Sequence, residues 1–278
     1  MLLVTGAGGQ LGQELRLLLG HSAMYAGHGE LDISNEAAVR EFFAGRSFEL
    51  VINCAACTAV DKAEDDFETA DRINRLGPAL LARYGRRVLH ISTDYVFDGT
   101  AHRPYKEEDN ANPISVYGAT KLAGEEAVLA GAETAVVIRT AWLYSSFGTN
   151  FVKTMRRLGA ERGSLGVVFD QTGTPTYAAD LAAAIVALLP QIKPGMKEVY
   201  HYSNEGVASW YDFACAIMEE SGLACAVRPI ESHEYPTRAT RPAYSVLNKA
   251  KIKRNFGLTI PHWRDGLKRC IAKLNEQA

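Results

Sequence analysis

The chain has 278 residues, with 30 Lys and Arg against 32 Asp and Glu, a net charge of −2. So balanced a charge excludes a bulk field that would attract nucleic acid or an anionic membrane. The longest uncharged apolar run, Leu181 to Leu189, is nine residues, far short of the roughly 20 that a spanning helix needs. The length leaves room for a nucleotide-binding domain with a smaller lobe.

Met1 leads straight into a short apolar strand, Leu2-Leu3-Val4, so the expectation is a cytoplasmic protein without a signal peptide. The strand runs into Thr5-Gly6-Ala7-Gly8-Gly9-Gln10-Leu11-Gly12, and the amphipathic run Gln13 to Leu19 follows, closed by Gly20. Strand, glycine turn and helix in this order are the context of a dinucleotide site: glycines permit a tight turn and a close backbone, and the helix N-terminus faces phosphate with free N–H groups. The spacing is Gly6-x-x-Gly9-x-x-Gly12, with Gly8 supplying a closer pair. Ser22 to Ala26 reads as a weak second strand, and Asn35 to Phe43 as a helix that Ser34 is placed to cap. Leu50 to Asn53 is a strand, Asp66 to Leu81 a helix, Arg87 to Ser92 a buried strand, Val116 to Leu129 a helix, and Ala135 to Arg139 another strand. Pro104 and Pro113 bracket a loop whose Glu107, Glu108 and Asp109 read as solvated. Such alternation predicts an α/β fold, a Rossmann-type doubly wound parallel sheet with sites at the carboxyl ends of its strands.

The five cysteines (Cys54, Cys57, Cys215, Cys225, Cys270) form no disulfide framework, which suits a reducing compartment. Cys54-x-x-Cys57 has no second pair of ligands and follows a buried strand, so both read as small apolar residues rather than redox or zinc groups. Tyr117 and Lys121 stand four apart and share one helix face. A phenol is a poor acid-base group at neutral pH, and an ammonium beside it is expected to move its pKa down toward the working range. The pair can pass a proton to or from an alcohol or ketone oxygen.

These segments together resemble the dTDP-4-dehydrorhamnose reductase family of extended short-chain dehydrogenase/reductases, from Leu2 to about Leu274. The motifs are the glycine turn, Asn53-Cys54-Ala55-Ala56-Cys57-Thr58-Ala59-Val60-Asp61, Ile91-Ser92-Thr93-Asp94-Tyr95-Val96-Phe97, Tyr117 to Lys121, Arg139-Thr140-Ala141-Trp142, Asn150-Phe151, Asp170-Gln171-x-Gly173-x-Pro175-Thr176 and Arg241-Pro242-x-x-Ser245. The resemblance implies reduction of the C4 keto group of dTDP-4-dehydro-L-rhamnose with NADPH or NADH. It implies that Gly6, Gly9, Gln10, Leu11 and Gly12 surround the cofactor pyrophosphate, with Asp32 and Ile33 near the adenosine. Ala55, Ala56, Cys57 and Thr58 would lie under the cofactor. Thr93 would bond the substrate C4 oxygen, Tyr117 would donate the proton, and Lys121 would hold the nicotinamide ribose and polarise Tyr117. Asp94 and Trp142 would touch the sugar, and Asn150 and Arg241 would complete the substrate site. Arg241 suits either a diphosphate fork or a surface ion pair. Asn74 resembles a helix asparagine that supports a water relay in related reductases, and a structural hydrogen bond reads equally well.

The expected division is a nucleotide-binding domain over 1–145, to which about 176–203 returns, and a substrate lobe over about 146–175 and 204–278. The region after the second strand, Ala26-Gly27-His28-Gly29, lacks the carboxylate that binds a ribose 2′-hydroxyl, with Glu30 slightly late; the expectation is NADPH, with NADH accepted. Some family members dimerise around Mg²⁺ held by glutamates, but Ala179 stands at one of those positions, so no metal and a monomer or weak homodimer are expected. Two rivals are another nucleotide-sugar enzyme, an epimerase or 4,6-dehydratase, and a non-catalytic subunit like that of methionine adenosyltransferase. The single carboxylate in Thr93-Asp94-Tyr95 argues against a dehydratase, and the intact Thr93, Tyr117 and Lys121 argue against the subunit.

Overall fold

The computed structural model describes residues 1–277. Six parallel strands form the central sheet: β1 (Leu2–Thr5), β2 (Ala23–Ala26), β3 (Val51–Asn53), β4 (Arg87–Thr93), β5 (Thr134–Thr140) and β6 (Lys197–His201). Their order is β6-β5-β4-β3-β1-β2, the doubly wound arrangement that the alternation predicts. The order reverses between β1 and β3, which leaves a crevice at their carboxyl ends. All seven residues of β5 are buried, as a strand covered on both faces requires.

Helices α1 (Gln10–Leu19), α2 (Glu36–Phe43), α3 (Gly77–Gly85) and α4 (Val116–Gly131) connect the strands. After β5 come α5 (Phe151–Glu161), α6 (Ala178–Leu188), α7 (Trp210–Ser221) and α8 (Trp263–Glu276). One core lies between α1, α6 and the sheet, around Leu15, Ile52, Val136 and Ile185. A second covers the opposite face, around Leu3, Val51, Leu81 and Val88. A third, around Tyr144, Phe213, Trp263 and Leu267, is built from segments after β5, where Ser164–Val168 and Ala226–Ile230 pair in parallel.

Three local expectations differ from what folds. Helix α2 is capped by Asn35, whose side chain accepts from the Ala38 N–H at 3.2 Å. Ser34 turns away, donating its hydroxyl to Asp32 at 2.7 Å. The helix expected over 66–81 is broken into Val60–Asp65, Phe67–Asp71, a π-helical turn Arg72–Leu76, and α3. Pro78 has no N–H to donate to the Asn74 carbonyl four residues back, and in the widened turn the Gly77 N–H reaches Arg72 O. The widened turn also admits α4: a Cβ at Gly124 would lie 2.0 Å from Asn74 O. Finally, Glu107 is half-buried rather than freely solvated. Its carboxylate accepts the His201 N–H at 3.1 Å and ties the loop to β6, and burial raises its pKa.

Candidate active site

A cavity of about 520 Å³ opens at the carboxyl ends of β1, β4 and β5. Its floor is the glycine turn. Gly6 has φ +67°, and a Cβ there would sit 2.5 Å from Ala55 N. A Cβ at Gly12 would meet Gly6 O at 2.5 Å, whereas one at Gly8 would meet nothing. Gly6 and Gly12 are therefore required sterically and Gly8 is not. Gly9 is the N-cap of α1 and brings no capping side chain; the first N–H to find a carbonyl is that of Gln13, on Gly9. The N–H groups of Gln10, Leu11 and Gly12 stand at a positive helix end on the cavity wall. Asn150 also lines the cavity, but its amide is engaged: it donates to Gln10 Oε1 at 2.9 Å and Ser145 O at 2.7 Å, and its oxygen caps α5.

The facing wall comes from β4 and α4. Thr93 ends β4, and its hydroxyl donates to Asp94 Oδ1 at 3.1 Å. Asp94 is buried, and desolvation raises its carboxyl to about 6. The Ser245 and Thr93 hydroxyls beside it pull the other way. Ser115 caps α4 and so fixes where Tyr117 and Lys121 begin their turn. Burial pushes the Tyr117 phenol up to about 12, against the pull of the Thr93 hydroxyl beside it. Burial likewise lowers Lys121 to about 8, against Glu125 and Cys54, which raise it. The expectation that Lys121 brings the phenol down is not met. The ammonium head is drawn to Ile91 O at 2.6 Å and lies 3.3 Å from His90 Nε2, so desolvation governs Tyr117.

Among the other expected residues, Ala56 and Thr58 line the cavity, whereas Ala55 and Cys57 are not part of its lining. Cys54 also lines it, with a thiol raised to about 12 by burial, as an inert cysteine should be. Asn74 grips the Cys57 backbone at both ends, accepting from its N–H at 2.8 Å and donating to its carbonyl at 3.1 Å. Its amide also donates to Thr120 Oγ1 at 3.2 Å, so the structural reading of Asn74 accounts for its whole side chain. Asp32 and Ile33 are off the cavity wall: Asp32 accepts from Ser34, which lowers its pKa, and Ile33 packs on Gly77. Arg241, 22% exposed, forks onto Asp61 at 2.8 and 3.2 Å. Asp180, beside Ala179, is held by Arg269 at 2.7 and 2.8 Å. Among the described residues no three His, Cys, Asp or Glu side chains gather as a metal site, and no helix is long and apolar enough to cross a membrane.

Trp142 holds φ +48°, rare for a bulky residue. Its indole stacks on Trp210 with centroids 3.6 Å apart and planes 6° from parallel. Both line the cavity. A Cβ at Gly173 would come within 2.6 Å of the Trp142 ring, so the Asp-Gln-x-Gly motif supplies that ring's seat. Trp210 escaped the reading of the sequence. Ser209-x-x-Asp212 before an apolar run does announce the capping box that starts α7, but nothing local says which cavity the first residue of that helix faces.

The family model of the RmlD substrate binding domain matches residues 1–276. The spore coat polysaccharide biosynthesis protein SpsK of Bacillus subtilis is 42% identical over 96% of this chain and 95% of its own length. A crystal structure of a dTDP-4-dehydrorhamnose reductase from Clostridium acetobutylicum superposes with a TM-score of 0.94 at 41% identity, covering 99% of both chains. The dTDP-4-dehydrorhamnose reductase of Bacillus anthracis, solved in complex with NADP, gives a TM-score of 0.93 at 37% identity and 98% coverage of each. With a glycine-turn helix facing a Thr-Tyr-Lys wall, and likeness along its whole length, this chain belongs to the RmlD substrate binding domain family.

Proposed function

We infer that this chain reduces the C4 keto group of dTDP-4-dehydro-L-rhamnose to give dTDP-L-rhamnose, using NADPH and accepting NADH. The observation that carries the reading is the convergence of Thr93, Tyr117 and Lys121 on one wall of a cavity whose other wall is the bare N-terminus of α1. Relatives named for this reaction, one with NADP bound, support it.

The residues present suit the cofactor. Gly6 and Gly12 let the turn close tightly against Ala55 and against itself, where any Cβ would strike backbone, and the first-turn N–H groups of α1 that this places on the cavity suit a pyrophosphate. Glu30 is turned back to accept the Gly27 N–H at 2.8 Å, which leaves the end of β2 compatible with a 2′-phosphate. Bound there, NADPH supplies the hydride. The Thr93 hydroxyl holds the substrate carbonyl oxygen and steadies the negative charge that develops on it. Tyr117, raised to about 12, is protonated at neutral pH and delivers its proton to that oxygen, a stronger base once it bears alkoxide charge. Lys121 supports the ribose and the phenol from below. Asp94, on the cavity wall, supplies an acceptor for a sugar hydroxyl, and Trp142, backed by Trp210, offers that sugar a flat apolar wall. Asp32 and Ile33 border the adenosine side, and Arg241 moves from Asp61 to the substrate diphosphate.

In this reading, residues 1–145 with 176–203 hold the cofactor and the remaining segments close over the nucleotide-sugar. It takes the enzyme to be cytoplasmic, to need no metal, and to work as a monomer or weak homodimer. The test is NADPH oxidation with dTDP-4-dehydrorhamnose generated in situ from dTDP-glucose. Rhamnose-nucleotide formation is expected, and a protein that binds NADPH yet leaves this ketone untouched would overturn the reading.

A further inference from the structure

The buried base of the site contains a run of side-chain hydrogen bonds whose polarity can be settled by counting donors. Thr5 donates its hydroxyl to Asn53 Oδ1 at 2.8 Å, and the Ala55 N–H donates to the same oxygen at 3.1 Å. Two donors on one atom fix it as the amide oxygen. The Asn53 NH₂ therefore faces His90 Nδ1, 3.0 Å away. Nδ1 must accept, so a neutral His90 carries its hydrogen on Nε2. The ring is wholly buried, and burial, the larger cause, lowers its pKa well below the usual histidine value and keeps it neutral. Its Nε2–H then meets Lys121 Nζ at 3.3 Å. An ammonium has three donors and no lone pair, so two donors would confront each other. An amine resolves the conflict, donating to Ile91 O at 2.6 Å and accepting from His90.

We propose that His90 is a positioning residue: locked as the Nε2–H tautomer by Asn53 and Thr5, it acts through Lys121 by disfavouring the ammonium form, so that this lysine gives up a proton more readily. The other titratable groups facing Lys121 are Cys54 behind β3, Tyr117 one turn earlier, and Glu125 one turn later. Glu125 is paired with Arg139 of β5 and the Cys54 thiol is held protonated, so the two favour the ammonium only weakly and do not outweigh burial. In the reaction, Tyr117 gives its proton to the substrate oxygen and is left as a phenolate. The Lys121 ammonium gives up a proton to restore the phenol, and Nζ is left as an amine whose lone pair receives the His90 Nε2–H. This step rests on the reductase reading; the tautomer and the lysine's titration do not.

The test is therefore made on the full chain without ligand, by nuclear magnetic resonance with ¹⁵N-histidine and ¹³C-lysine labels, with Lys121→Met assigning the lysine signal. Expected are an unprotonated Nδ1 and a protonated Nε2 at His90, a Lys121 midpoint well below that of the exposed lysines, and a His90 Nε2 shift that moves with the same midpoint. Asn53→Asp presents an acceptor to Nδ1; it should reverse the tautomer and raise the Lys121 midpoint by about one unit or more. With His90→Leu also present, the Asn53→Asp change should move Lys121 less. A wild-type His90 protonated on Nδ1, or one whose shifts ignore the Lys121 titration, would overturn the proposal without any variant having to fold. An equal rise with and without the histidine would overturn it too, by assigning the effect to the added charge alone. Absence of turnover on dTDP-4-dehydrorhamnose, with these spectra as expected, would count against the proposed reaction and leave the His90 assignment standing.

Discussion

Two buried cations meet on α4 and have been treated by the fold in opposite ways. Arg139, 6% exposed, reaches across from β5 to Glu125, 2% exposed, with three N–H···O contacts of 2.7 to 3.1 Å. Lys121, one turn from Glu125, is equally buried but is given a carbonyl and an imidazole instead of a carboxylate. The first arrangement lets each ion compensate the other's lost hydration. The second does not, and the lysine falls to about 8. A paired cation is fixed in one state, whereas an unpaired one at the same depth is left able to change state. The pair builds the wall, and the lysine does chemistry in front of it.

The largest expected effect concerns the acid that this lysine serves. Tyr117→Phe should keep NADPH binding while lowering turnover about 10²–10⁴-fold; full activity in that variant would remove Tyr117 from the mechanism. Breaking the paired cation is the next test. Glu125→Leu strands Arg139 in the core and should destabilise the protein by about 3–5 kcal/mol in urea titration. A loss near zero would mean that solvent reaches Arg139.

Lys121→Met should do the reverse. It replaces a buried, unpaired ammonium by an apolar chain of similar length, so Tm should rise while turnover and NADPH affinity both fall. The gap has a pH signature. Lys121 has its folded pKa depressed to about 8, below the ordinary lysine value of about 10.4, so between these the unfolded chain binds more protons and native stability rises with pH. The advantage of Lys121→Met over wild type should be constant below pH 8 and shrink toward pH 10. An advantage that does not change with pH would show that Lys121 is not depressed. The smallest effect is expected at Arg241, paired but partly exposed. Arg241→Ala should raise the KM of the nucleotide-sugar by about tenfold, the scale of one charge-assisted bond, and leave that of NADPH nearly unchanged. Equal shifts in both would assign Arg241 to holding Asp61.

What could be read from the sequence was what short-range patterns encode. Gly6, Gly9 and Gly12 between a strand and a helix, and Tyr117 with Lys121 on one face, need only neighbours in the chain. The outcomes that could not be read depend on partners far along it. Arg241 finds Asp61 180 residues away, and Trp210 finds Trp142 across the cavity. The spacing of Tyr117 and Lys121 was legible, but the direction of the lysine's head was not, because Ile91 O and His90 on β4 decide it. The π turn before α3 lies between these cases. The expected helix over 66–81 runs through Pro78 without a break, and the widened turn also answers to Gly124 on a different helix.

The Trp142–Trp210 stack also makes the protein its own optical gauge. Only three tryptophans are present, and the third, Trp263, is buried with Phe213 in the core behind α7. Two parallel indoles 3.6 Å apart share an excited state, and the twist between them should appear as a signed pair of bands in circular dichroism. One ring follows β5 of the sheet, and the other begins α7 beyond it. Any ligand that parts them, or any shift of α7 against the sheet, changes that signal without a label, a substitution or turnover.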